Sequence, residues 1–277
     1  MTFSLYCERT QPGLLDEPLN LVTNVAFVIA GLFAAWRWRE QEGLTLKNGW
    51  ELALLIGLLF AIGIGSALFH AFANGWSLLA DVVPILLFIN LYLICWLYRV
   101  AAAPVWAILA IFGVYQGINY GAALVLDPSA LNGSAGYLPA LLFLASMWLW
   151  LWWRRHVMVK TLGLATGLFA LSLTFRTIDQ AVCAVVPTGS HFLWHLLNGL
   201  LLYLLVSGLI RHSDGRFAHC LSPEPLADMA GHLKAERPSR LTLESTDEVA
   251  ASAEVETPAP PAPPARTPRR PARSPLA

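Results

Sequence analysis

The chain has 277 residues, of which 56% are hydrophobic and 13% charged, with a formal net charge of zero. Soluble domains run at about 45–50% apolar and about 25% charged residues, so one soluble core cannot hide this much apolar surface and the class is a membrane protein. The charge balance offers no basic surface for nucleic acid, and the 11 Trp suit interfacial aromatic belts.

The N-terminal segment MTFSLYCERTQPGLLDEP is polar and lacks a charged start followed by an apolar core. It is expected to stay on the mature protein rather than act as a cleaved signal. Seven apolar stretches then follow, near 19–38, 50–70, 77–98, 102–121, 136–154, 160–178 and 190–210. Each has the length of a bilayer-crossing helix, about 17–25 residues. The sixth is the weakest, interrupted by Gly, Ser and Thr. The expected fold is therefore all-α and polytopic, with an N-terminal segment 1–18, a seven-helix domain 19–212 and a tail 213–277. That tail ends PAPPAPPARTPRRPARSPLA, a composition expected to stay disordered.

Basic residues orient the spans. Arg37, Arg39, Lys47, Arg99, Arg154, Arg155, Lys160, Arg211 and Arg216 flank one side, against Arg9 and Arg176 on the other. The expected topology is N-terminus outside and C-terminus in the cytoplasm. The membrane would be the cytoplasmic one in a bacterium and an internal one in a eukaryote.

Ionisable residues within spans are costly and usually functional. His70 closes the second span, Asp81 lies in the first turns of the third, and His191 and His195 open the seventh. Under this topology all four fall in the outer leaflet. His191 and His195 stand at i and i+4, so both rings leave one helical face, a good spacing for two ligands of one metal ion. With His70 as the third, three neutral imidazoles and an open fourth position describe a catalytic zinc site. Ser66, at i−4 from His70, points the same way. Taken singly, each of these residues is an ordinary interfacial, capping or packing group; the constellation carries the reading.

The set Ser66-x3-His70, Asp81 eleven residues on, and His191-x3-His195 in the last span resembles the alkaline ceramidases. These belong to a superfamily of seven-helix membrane hydrolases that includes the adiponectin and progestin receptors and the haemolysin-III-like proteins. The YCE at Tyr6–Glu8, the EPLNLVTN leading into the first span, and Asp179-x3-Cys183 are similar to the ceramidase branch. The resemblance covers about residues 5–210. It implies a zinc-dependent amidase that splits ceramide into a fatty acid and a sphingoid base. His70, His191 and His195 would hold Zn2+, Asp81 would move protons, and Ser66 would position or stabilise the reacting oxygen.

The resemblance further implies a disulfide between Cys7 and Cys183, and a Ca2+ site near the N-terminus with Glu8 and Glu17 as ligands. Leu5 stands where that pattern has aspartate and Thr10 where it has asparagine, which leaves calcium open. The partner expected is a membrane lipid, ceramide or another N-acyl lipid. A receptor-like relative with a structural zinc is the alternative, expected to run with the opposite topology. A retinal pigment is excluded, because Lys47, Lys160 and Lys234 all lie outside the seventh span. A haem carrier is disfavoured because histidines four apart on one helix suit a single small ion. A transporter would place its polar groups nearer the bilayer midplane.

Overall fold

A computed structural model describes residues 3–11 and 13–212; the expected tail 213–277, with Arg216 and Cys220, lies outside them. The described residues form helices with no strand. These are α1 (Pro18–Thr23), α2 (Val25–Glu40), α3 (Leu46–Phe72), α4 (Gly75–Arg99), α5 (Val105–Val125), α6 (Leu138–Trp153, entered through a 3-10 turn at Ser134–Tyr137), α7 (Val159–Val182) and α8 (His191–His212). Since α1 and α2 run on as a single 23-residue span, seven helices are long and apolar enough to cross a membrane.

Sorting of side chains matches a lipid solvent. Leu52, Leu59, Leu151, Leu162 and Leu209 are sealed inside, while Trp106, Val125, Trp152 and Trp153 stand exposed on the perimeter. Helical backbone bonds its N–H and C=O groups along its own chain, the condition for crossing hydrocarbon. The weak sixth stretch becomes the 24-residue α7. Its Thr166, Thr174 and Thr177 hydroxyls return to backbone carbonyls one turn earlier, which satisfies them without a partner helix.

Two local devices bring α3 and α4 together at one end of the bundle. Pro84, inside α4, has no N–H for the carbonyl of Ala80. Gly65 of α3 lies directly against that carbonyl, where any Cβ would overlap it. This close approach sets Ser66 beside Asp81. The same end is sealed by the N-terminal segment, pinned by Phe3 N–H to the Ala73 carbonyl and Leu15 N–H to the Ala71 carbonyl.

Candidate metal centre

The three histidines arrive from two helices. His70 sits in the last turn of α3; His191 and His195 occupy the first two turns of α8. Each is only 1% exposed. One ligand atom from each lies within 4.8 Å of the others. Among the described residues this is the group of three or more His, Cys, Asp or Glu that converges so tightly.

Surrounding hydrogen bonds decide which nitrogens are free. His70 Nδ1 lies 2.5 Å from Glu17 Oε2. A carboxylate only accepts, so Nδ1 carries the proton, and in the neutral ring Nε2 holds the lone pair. Thr23 donates its hydroxyl to the Leu19 carbonyl at 2.8 Å and meets His195 Nδ1 at 2.9 Å. Its single proton being committed, Thr23 accepts from Nδ1–H, and His195 Nε2 is left with its lone pair too. The two Nε2 atoms face each other at 3.1 Å. Two lone pairs at that separation repel unless a proton or a metal cation lies between them. Two ligands at about 2.0–2.1 Å in tetrahedral geometry stand about 3.3 Å apart, close to what is seen. The donor set therefore fits a metal ion, with the outer partners that such histidines usually have.

Glu17 is almost fully enclosed, 1% exposed. Burial alone would raise its carboxyl, but hydrogen bonds from His70, Arg9 and Asn20 outweigh that and hold it below its ordinary value. It is thus ionised at neutral pH. Tyr6 stacks on the His191 ring with centroids 3.6 Å apart. Burial pushes its phenol well up, against the opposing charge of Arg176, so Tyr6 stays protonated.

Asp179, fully buried near the end of α7, organises the entry to α8. Its Oδ1 accepts from Ser190 N at 2.7 Å and His191 N at 2.9 Å, and its Oδ2 from Cys7 N at 3.0 Å. A carboxylate at a helix N-terminus meets unpaired N–H groups and the positive end of the helix dipole. Gly189 has φ +65°, and a Cβ there would run into the Asp179 carboxylate. Beside this knot Cys7 and Cys183 form a disulfide, the pairing the family resemblance implied. It staples the N-terminal segment to the end of α7.

Asp81 lies near the histidines. Its polar and charged neighbours include His70, Ser66, Arg176, Tyr6 and Tyr137, and its Oδ1 is buried without a hydrogen-bond partner. Ser66 is 4% exposed. The structure thus brings together His70, His191, His195, Asp81 and Ser66. Glu8 accepts from Leu19 N and Asn20 N at the start of α1, at 2.7 and 2.8 Å, and Glu17 faces His70 and Arg9.

Below the histidines an apolar cavity runs down the bundle, lined from α2 to α8 by residues such as Phe27, Phe88, Phe143, Trp194 and Leu205. From Trp194 to Leu205 it follows α8 for about 16 Å. Its upper end meets Arg176, whose guanidinium lies 5.6 Å from the Tyr137 ring centroid and 5.3 Å from that of Trp194.

A family model described as Ceramidase matches residues 7–214. The chain belongs to the ceramidase family. Membership makes it a membrane hydrolase of the class that acts on amide bonds, and the family's lipid substrates accord with a polar centre above an apolar cavity. No curated protein sequence matches the chain.

Sequence reasoning passed over Arg176, Tyr6, Thr23 and Arg9. Arg176 was counted among flanking charges, but it lies within α7, two turns before its end. It already falls inside the expected span 160–178, so the rule that singled out Asp81, that ionisable residues inside spans are functional, applies to it equally. Tyr6 and Thr23 lie in the YCE and EPLNLVTN motifs, where their residue types alone carry no ligand signal.

Proposed function

We propose that this ceramidase-family protein is a zinc-dependent amidase that hydrolyses ceramide or a related N-acyl lipid to a fatty acid and an amine. The observation that carries the reading is the pair of lone-pair nitrogens, His70 Nε2 and His195 Nε2, turned toward one point beside an unpartnered Asp81 oxygen.

Zinc bound by His70, His191 and His195 would supply Lewis-acid polarisation and make water a nucleophile near neutral pH. The residues around it supply the rest. Asp81 Oδ1, with no competing donor, takes the proton from the attacking water and returns it to the departing amine nitrogen. Ser66 orients the Asp81 carboxylate and, once Asp81 holds the water's proton, turns its one hydroxyl proton to the reacting oxygen. Arg176 keeps a permanent positive charge on the same side, favouring the oxyanion as it develops. Tyr6 and Asp179 hold His191, while Glu17 and Thr23 hold His70 and His195. The apolar cavity receives the acyl chain and keeps bulk water out.

Orientation belongs to the same proposal. The basic bias of the loops puts the metal end of the bundle outside, in the leaflet where the lipid amide would be presented.

The test is to incubate purified protein in detergent with a panel of ceramides and other N-acyl lipids, with His191→Ala alongside. Fatty acid and amine are read by mass spectrometry and zinc by elemental analysis. Release by wild type alone, with one zinc per chain lost in His191→Ala, is expected. Zinc retained with no amide in the panel cleaved would move the assignment to the receptor-like alternative.

A further inference from the structure

Next to the metal centre lies a second cation, and the chain supplies it from its own sequence. Arg9 is 5% exposed. Its Nε donates to Glu17 Oε1 at 2.5 Å, its Nη1 to the Gly13 carbonyl at 2.9 Å, and its Nη2 to the His70 carbonyl at 2.9 Å. The other Glu17 oxygen accepts from His70 Nδ1 at 2.5 Å and Asn20 Nδ2 at 3.1 Å. One guanidinium therefore touches the backbone of His70 directly and reaches its ring through Glu17.

Family resemblance places calcium in this segment, so the residues must be asked whether they fit it. Calcium takes about six to eight oxygen ligands at about 2.3–2.6 Å. The segment before α1 carries three carboxylates: Glu8, Asp16 and Glu17. Glu8 accepts from two backbone N–H groups of α1. Asp16 accepts from Thr10 N and Gln11 N at 2.7 and 2.8 Å. Glu17 accepts from Arg9, His70 and Asn20. All three carboxylates already serve N–H donors, and a fixed guanidinium among them repels a divalent ion. Leu5 and Thr10 restore no carboxylate. The residues do not fit calcium.

We propose that the Arg9 guanidinium replaces a bound cation here. It ties the N-terminal segment to α1 and α3 and, through Glu17, sets the orientation of His70, so the metal centre assembles without calcium. A planar five-donor fork suits this task, because it reaches a carboxylate and two carbonyls at once. Arg9 is a positioning residue, since it acts on the metal ligand through Glu17. Only this positioning half rests on the zinc reading.

The test uses the full-length protein in detergent, in calcium-free buffer containing zinc, with or without millimolar calcium. Equilibrium dialysis with radiolabelled calcium and the melting temperature are the readouts. Wild type is expected to show no saturable calcium binding and an unchanged melting temperature. One calcium per chain with a higher melting temperature overturns the replacement. Zinc affinity is then measured by chelator competition for wild type, Arg9→Lys and Arg9→Ala. Loss of an outer partner typically costs 10–100-fold in metal affinity, and a loss in that range is expected for Arg9→Ala, with a smaller one for Arg9→Lys. Wild-type zinc affinity in both variants overturns the positioning role. Should Arg9→Ala not fold, Arg9→Lys carries that measurement, and the calcium result needs no variant. No readout uses hydrolysis, so a wrong substrate assignment leaves each outcome readable.

Discussion

Replacing Asp179 separates two ways in which one buried carboxylate stabilises the site. In Asp179→Asn the amide oxygen still accepts from Ser190 N and His191 N, but an NH2 group faces Cys7 N–H, which loses its acceptor. A hydrogen bond to a charged group contributes about 1.5–3 kcal/mol, and a charge at a helix N-terminus adds about 0.3–1 kcal/mol, up to about 2 in partly buried geometry. The expected cost is about 2–4 kcal/mol. In Asp179→Ala all three N–H groups lose their acceptor, each orphaned donor costing about 1–3 kcal/mol, so the cost must be larger still. Thermal unfolding in detergent, followed by tryptophan fluorescence, reads the order: wild type above Asp179→Asn above Asp179→Ala. At about 2–4 °C per kcal/mol for a chain of this size, the first step is roughly 4–16 °C. Both variants melting with wild type, or the Asn variant below the Ala variant, would refute the claim that Asp179 acts as a charged acceptor.

Asp81→Asn is expected to keep zinc and lower kcat by about 10²–10⁴-fold, the usual worth of a positioned acid–base group; metal content and turnover measured on one sample check it, and unchanged turnover assigns the proton work elsewhere. Ala140→Phe narrows the apolar cavity and is expected to lower kcat/KM for long acyl chains while sparing short ones; an equal effect on both would place the acyl chain outside the cavity. His156, in the turn after α6, is 1% exposed, and burial, followed by the charge of the neighbouring His212, lowers its pKa from 6.5 to about 4. Between those values the unfolded chain takes up a proton that folded His156 refuses, so stability is complete above about pH 6.5 and falls as pH drops toward 4. The loss is on the order of 3 kcal/mol, and the slope should shrink in His156→Gln. Melting temperatures across that range are the measurement.

Much of this protein was legible in its sequence because hydropathy is a local property. A run of about twenty apolar residues must bond its backbone to itself in hydrocarbon, whatever its neighbours are. The seven spans therefore followed from the chain alone, to within a few residues at most ends. The i,i+4 spacing likewise put His191 and His195 on one face before any packing was known. Pairing Cys7 with Cys183 came from family resemblance, and the structure contains that bond.

What only the tertiary structure decided is how polar groups find one another across the bundle. Glu17 meets His70 over a separation of 53 residues, and Thr23 meets His195 over 172. No local period encodes such contacts. Glu17 shows the difference most plainly: the family resemblance offered it as a calcium ligand and left calcium open, while only the fold shows its oxygens meeting His70, Arg9 and Asn20. Arg176, near the end of the expected span 160–178, read as a flanking charge, yet α7 runs on to Val182 and carries it beside Asp81. A helix announces itself through its own side chains, whereas a site depends on which helices pack together, as at Gly65, where a missing Cβ lets α4 bring Asp81 to Ser66.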